Sequence, residues 1–384
     1  MQFGLTDEQK SIAQTAREFV QRECAPHIVE WDANETYSVE VPKKLAALGM
    51  LGGTLPAKYG GAELDHVSLV LMIEGLATVC TITATIAGFV SCSLGQGTML
   101  YGTEEQRQKY VAAAARGERF GATGLTEPHS GTDIVRKMET TATRDGDEYV
   151  IRGRKLWISN LPWADWFITF ATLDRSLGHK GVCAFIVEKQ WPGVSWQVIK
   201  NKMGARTFGT GELVLDEVRV PRENLVGKEY EGYKVLMAGG EMSRFACAAR
   251  SIGQMETCLR ESVRYAKERI VYEQPIGRYQ LVQAKIADMA VGLETARLLT
   301  YKMAWLKDQG AQRMQRESSM AKLYATEVLQ RSATDACQIF GAMAIAPESA
   351  VGRIYRDAKV QAIYDGTNDI HRVMIGEWEL GYRS

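Results

Sequence analysis

Ala362-Ile363-Tyr364-Asp365-Gly366-Thr367-Asn368-Asp369-Ile370-His371-Arg372 is the stretch on which the reading of this chain turns. Asp-Gly is a favoured turn dipeptide, and Thr367 with Asn368 supplies the side-chain oxygens that cap a helix. Ile370, Met374 and Trp378 then suggest that helix. Taken alone, the segment is a turn that enters a helix.

Working outward, helical periodicity persists upstream from Gly232, with long helices expected around 240–268, 280–309 and 317–340. Val282, Ile286, Met289, Leu293 and Ala296 form one apolar stripe, while Asp288, Glu294 and Arg297 lie off it. An antiparallel bundle follows. Between 118 and 226 the texture changes to period two. Thr140–Arg144 and Glu148–Ile151 flank Asp145-Gly146, a hairpin signal, and apolar runs follow at 166–171, 182–187 and 212–220. Short strands separated by turns predict a small antiparallel barrel or sandwich. Gly209-Thr210-Gly211 lacks the third glycine and following helix of a dinucleotide fingerprint and reads as a turn. The first 117 residues read as helices, with capping boxes at Thr6–Gln9 and Thr103–Gln106.

The 384 residues allow two or three domains and a large core. Lys plus Arg and Asp plus Glu both number 46, so no nucleic acid or anionic membrane surface is expected as a general partner. Seven scattered cysteines without a CxxC pair fit reduced thiols in a cytoplasmic protein. The N-terminus carries early acid and no apolar core, so no secretory signal is expected there. Nothing from Gly75 to Thr103 is charged, but Thr, Ser, Gly and Gln interrupt it, so a buried helix pair or pocket wall is expected rather than a membrane span. The five histidines show no metal-ligand spacing.

Two segments of the middle region bear on chemistry. Thr126-Glu127-Pro128-His129-Ser130-Gly131-Thr132-Asp133 offers hydroxyls and backbone amides to a phosphate or a heterocycle edge. Lys155-Leu156-Trp157-Ile158-Ser159-Asn160 is a strand ending in a large aromatic and a hydroxyl. Together they resemble the acyl-CoA dehydrogenase family, with its Thr-Glu-Pro-x-x-Gly-Ser-Asp loop and Trp-Ile-(Ser/Thr)-Asn strand. The resemblance runs nearly full length, through Pro56–Gly61, Glu268–Gln280, Gln338–Gly341 and Tyr355–Lys359 to the loop at Asp365. There the family's Tyr-Glu-Gly-Thr is Tyr364-Asp365-Gly366-Thr367.

The resemblance implies an α+β fold with an N-terminal helical domain (1–117), a middle antiparallel β-barrel domain (118–226) and a C-terminal four-helix-bundle domain (227–384). It implies an FAD site shared between subunits of a homotetramer. Thr123, Leu125, Thr126, Gly131 and Thr132 would meet the flavin and pyrophosphate, with Trp157 against the isoalloxazine and Ser159 near N5. Arg269, Gln280, Gln338 and Gly341 would come from a neighbouring subunit, and Thr367 and Asp369 would finish the site. Asp369 stands where a Gln or Glu is often found. Arg244 and Thr132 would lie on the CoA side, with Glu241, Tyr364 and Gly366 also facing substrate.

The implied chemistry is removal of an α-proton from an acyl-CoA by a carboxylate while a β-hydride leaves to the flavin. The backbone N–H of Asp365 would help to stabilise the enolate oxygen. Asp365 is the expected base. Some members place a glutamate at the position of Ser243, and Glu241 is a reserve that should point elsewhere. An Asp withdraws the carboxylate by ~1.5 Å if the backbone is unchanged, so either the loop moves inward or the acyl group is bulkier at Cα. Asp at the base position also resembles the family's alicyclic-acid branch, and that resemblance implies conversion of cyclohexane-1-carboxyl-CoA to cyclohex-1-ene-1-carboxyl-CoA, with electrons passed to an electron-transferring flavoprotein. Where dicarboxyl-specific relatives carry an arginine this chain has Ala84, so a glutaryl-type substrate is disfavoured. The alternatives are a short- or branched-chain acyl-CoA dehydrogenase, a carrier-protein-linked oxidase or desaturase of secondary metabolism, and a flavin-binding scaffold with little activity.

Overall fold

The computed structural model describes residues 4–383. Its first helix, α1 (Asp7–Glu23), opens as the residue pattern requires: Thr6 Oγ1 accepts from the Gln9 N–H at 3.2 Å and Gln9 Oε1 accepts from the Thr6 N–H at 3.1 Å. The uncharged stretch is broken into short helices. α2 (His66–Ala77) ends inside it, α3 (Thr81–Gly88) follows, and a π-helical turn at Phe89–Leu94 leads into Gly95–Tyr101. No helix among the described residues is long and apolar enough to cross a membrane. At Thr103 the second capping box forms, and Gln106 Nε2 also donates to the carbonyls of Glu223 and Leu225 at 2.7 and 2.9 Å, tying this helix to the end of the sheet.

The sheet contains β1 (Gly121–Gly124), β2 (Thr141–Asp145), β3 (Glu148–Ile158), β4 (Trp166–Thr172), β5 (Val182–Glu188), β6 (Val194–Val198), β7 (Gly211–Pro221) and β8 (Leu225–Val226). The predicted hairpin is β2–β3, closed by the pair Asp145 and Glu148, with Gly146 at φ 63° in the turn. The antiparallel barrel is not found. The strands run in the order β6-β7-β3-β2-β4-β5-β8 with β1 beside β4, and no ladder joins β6 to β8 among the described residues. Both β1 and β2 pair with β4 in parallel, as the long excursions between them permit. β4 and β5 are apolar runs because both faces are covered. Phe167 and Phe185 face the side chains of β3 and β7, while Trp166, Ile168 and Ile186 pack against Tyr110 and Val235.

The α-helices after the sheet are α4 (Gly232–Glu268), α5 (Gln280–Asp308), α6 (Gln315–Phe340), α7 (Ala350–Gln361) and α8 (Asn368–Glu379). α4 to α7 share one apolar core that includes Met255, Leu293, Leu329 and Ile354. The stripe read on α5 faces it, with Met289, Leu293 and Ala296 buried. The N-terminal helices are fastened to this bundle by Glu74. That buried carboxylate accepts from Arg297 Nη2 at 2.6 Å and from the Tyr301 hydroxyl at 2.8 Å. Breaking such a pair would strand a charge in the interior.

Candidate active site

The loop between α7 and α8 is shaped by its own backbone. Asp365 and Gly366 both have positive φ, 58° and 92°, and a Cβ at residue 366 would stand 2.9 Å from His371 Nε2, so only glycine fits. Thr367 Oγ1 accepts from the Ile370 N–H at 3.3 Å and starts α8. Lys322, buried on α6, donates to the Gly366 carbonyl at 2.8 Å and to Asn368 Oδ1 at 2.9 Å. His371 Nε2 lies 3.2 Å from the Asp365 carbonyl. A carbonyl only accepts, so that nitrogen carries the proton. Burial, reinforced by Arg244 and Lys322, pushes this imidazole down to about 3, and it stays neutral.

The Asp365 side chain is held by α4. Ser243 Oγ donates to Oδ1, and Arg250 Nη2 lies 3.3 Å from Oδ2. Arg250 also donates to the Tyr364 hydroxyl from Nε at 3.1 Å and Nη2 at 2.9 Å. Arg250 was not among the residues expected from sequence, although its seven-residue spacing from Ser243 places both on one helix face. Among the described residues the Asp365 N–H has no protein partner, leaving it free for an oxyanion. Among the described residues, the buried Nε and Nη1 atoms of Arg244 have no hydrogen-bond partner. Burial drives its charge affinity down. Glu241 is committed elsewhere: Oε2 accepts from the Met314 N–H at 2.9 Å, and Oε1 is 3.6 Å from Lys307 Nζ. Those contacts make it a tie between α4 and the start of α6 rather than a free base or substrate contact.

On the sheet, the two motifs meet. The Leu156 N–H donates to the Thr126 carbonyl at 2.8 Å. Beneath this contact lies a pair that sequence reading left unassigned, Lys155 Nζ to Glu127 Oε1 at 2.7 Å with both side chains buried. Glu127 also accepts from the N–H groups of Glu139 and Thr140 at 2.6 and 2.9 Å, which pins the loop's return. Burial pushes the Lys155 ammonium down to about 8, against the pull of Glu127. The pairing of β3 with β7 then slips between Lys155 and Ile158, Trp157 takes φ 62°, and its indole is left 57% exposed. A bulge of this kind re-aims a side chain out of the ladder. Thr123, Leu125, Thr126 and Ser159 are half-buried, and Gly131 and Thr132 are exposed.

Arg269, Gln280, Gln338 and Gly341 are exposed at one end of the bundle, where Tyr265 stacks on Phe340 with ring centroids 4.3 Å apart. Among the described residues, no hydrogen bond or ion pair joins them to the Thr126–Trp157 group. Asp369 is also exposed, and Arg372 lies 3.8 Å from it.

Family models for the acyl-CoA dehydrogenase N-terminal, middle and C-terminal domains match residues 6–118, 122–218 and 230–380. The chain belongs to the acyl-CoA dehydrogenase family. A short-chain-specific acyl-CoA dehydrogenase of Clostridium acetobutylicum is 38% identical over 98% of this chain and 98% of its own length. A chain solved in work on the electron-transferring flavoprotein of Acidaminococcus fermentans and flavin-based electron bifurcation superposes with a TM-score of 0.95 at 38% identity, covering 99% of this chain and 100% of that one. The glutaryl-coenzyme A dehydrogenase solved with glutaryl-CoA gives 0.96 at 33% identity, covering 100% and 98%.

This acyl-CoA dehydrogenase is therefore an FAD-dependent oxidoreductase. Its residues fit the cofactor. The bulge presents a bare indole face suited to a flat heterocycle, and a Cβ at Gly131 would meet nothing within 4 Å, so the loop backbone is open to close approach.

Proposed function

We propose that this enzyme dehydrogenates the Cα–Cβ bond of an acyl-CoA thioester with Asp365 as the α-proton base. The observation that carries the reading is the Asp365 carboxylate itself, held in a left-handed turn by Ser243 and Arg250 with an unpartnered N–H beside it. Bound FAD supplies the acceptor for the β-hydride. Thr123, Leu125, Thr126, Gly131, Thr132, Trp157 and Ser159 hold its ring end. Arg269, Gln280, Gln338 and Gly341 serve the diphosphate and adenosine of a second copy, with Thr367 and Asp369 completing the contact. Their exposure at the far end of the bundle supports a homotetramer. Arg244, whose Nε and Nη1 have no partner among the described residues, and Thr132 serve the substrate on its CoA side, with Tyr364 and Gly366 lining the approach. The likeness to the chain from the electron-transferring flavoprotein work supports an electron-transferring flavoprotein as acceptor.

The acyl group is compact and crowded at Cα. Asp365 is one methylene shorter than a glutamate, so a tertiary α-carbon, as in cyclohexane-1-carboxyl-CoA or an α-branched acyl-CoA, suits it. A short straight chain is the second reading, supported by the Clostridium relative. Anaerobic bleaching of the flavin band by cyclohexanecarboxyl-CoA, isobutyryl-CoA and butyryl-CoA separates them. Faster bleaching by the α-branched pair supports the first reading; preference for butyryl-CoA sinks it.

A further inference from the structure

Arg250 is a cation beside the proposed base, its Nη2 3.3 Å from Asp365 Oδ2. Its side chain is 3% exposed. α3 crosses it at Gly88, where a Cβ would come within 3.5 Å of Nη1 and 3.0 Å of the Ala246 Cβ. The polar chain beyond Tyr364 is neutral: the Tyr364 hydroxyl donates to Gln361, Gln361 Nε2 to Gln254 Oε1 at 2.9 Å, and Gln254 Nε2 to Thr81 Oγ1 at 2.9 Å. Cys92 and Cys247 nearby supply no anion either, since burial pushes the Cys92 thiol up to about 12 and the Cys247 thiol upward as well. Asp365 is thus the only carboxylate paired with Arg250 among the described residues. Two more buried cationic side chains, Arg244 and Lys322, surround the same loop.

An arginine stays charged in a protein interior, and an unpaired buried charge is costly. The reaction creates that situation. When Asp365 takes the α-proton it becomes neutral, and Arg250 loses its anion while buried in the protein interior. A carboxylate on the acyl group itself would restore the pair at that moment through a charge-assisted hydrogen bond. We propose that Arg250 is a specificity-determining residue that binds a carboxylate carried by the acyl group, making the substrates CoA half-thioesters of short dicarboxylic acids branched or cyclic at Cα. The acid must be short, because the guanidinium that binds it also reaches the base. This rests on the reading of Asp365 as the base and narrows the compact-acyl class above to members that carry a second carboxylate, leaving the neutral cyclohexanecarboxyl and isobutyryl thioesters as probes of the base rather than as substrates. It also revises the expectation drawn from Ala84: that residue is buried on α3, and the cation comes from α4 instead.

The test separates recognition from chemistry. 2,2-Dimethylsuccinyl-CoA, joined beside its quaternary carbon, has no α-hydrogen, and 2,2-dimethylbutyryl-CoA is its neutral counterpart. Calorimetry on the holoenzyme is expected to show the anionic thioester binding about tenfold tighter. Arg250→Gln should bring the two within about twofold, and Arg250→Lys should keep part of the preference. Flavin reduction by 2-methylsuccinyl-CoA should likewise exceed that by 2-methylbutyryl-CoA. Equal or reversed affinities in the wild-type enzyme overturn the proposal without any variant. So does an Arg250→Gln protein that weakens both thioesters alike, because the arginine would then serve only Asp365 or the enolate. A binding preference with no bleaching by any thioester upholds Arg250 and removes the dehydrogenation reading instead.

Discussion

Ser243 Oγ donates its hydrogen bond to Oδ1 of Asp365, joining the middle of α4 to the loop between α7 and α8. The serine stands where some relatives carry a carboxylate on this helix, and here it orients the carboxylate of the loop. A hydrogen bond to a charged acceptor contributes roughly 1.5–3 kcal/mol. Ser243→Ala should slow flavin reduction by at least about tenfold while FAD content is kept. Stopped-flow reduction under anaerobic conditions reads this directly, and an unchanged rate would mean that the loop positions Asp365 without help.

Asp365 carries the chemistry in this reading. Asp365→Ala should lower the rate of flavin reduction by about 10²–10⁴-fold, the usual contribution of a positioned base. Asp365→Glu tests reach. It pushes the carboxylate out by ~1.5 Å and should move preference from cyclohexanecarboxyl-CoA toward butyryl-CoA. A Glu variant with the wild-type ratio of the two rates would show that the loop, not the side-chain length, sets substrate choice.

The Glu127–Lys155 pair should govern stability and cofactor retention rather than turnover. Removing one partner of a buried pair typically costs about 3–5 kcal/mol. Lys155→Met is expected to lower the urea midpoint and release FAD, since Glu127 anchors the loop that meets Trp157. Full stability and flavin content in that variant would contradict the structural role.

His371 gives a pH signature. Its folded value of about 3 lies below the ordinary 6.5. Between these values the unfolded chain binds a proton that the folded chain refuses, so stability falls as pH drops through that window. The slope is about 1.4 kcal/mol per pH unit for one proton. His371→Gln should remove this component, seen as a flatter dependence of unfolding free energy between about pH 6.5 and pH 5. An unaltered slope would place the acid sensitivity in other groups.

Much of this was legible along the chain. Capping boxes at Thr6 and Thr103 and the stripe from Val282 to Ala296 are local signals, governed by bonds and spacings of a few residues, and each is found in the structure. The Asp365 turn was readable for the same reason, since Asp-Gly can take the left-handed backbone it adopts. The sheet was less legible. Alternation marks strands but not their partners, so the parallel pairing of β1 and β2 with β4 and the bulge at Trp157 came only with the fold.

Sequence by itself determined the three-part order of helices, sheet and helices, and it placed a carboxylate in a turn with motifs in family order. Tertiary structure decided what that carboxylate touches. Ser243 and Arg250 lie more than a hundred residues from Asp365 and meet it because α4 packs under the loop. Glu127 and Lys155 were paired by the same long-range closure. Periodicity reports which face of an element is buried. Whether a charge on that face finds a partner depends on chain segments that only folding brings together.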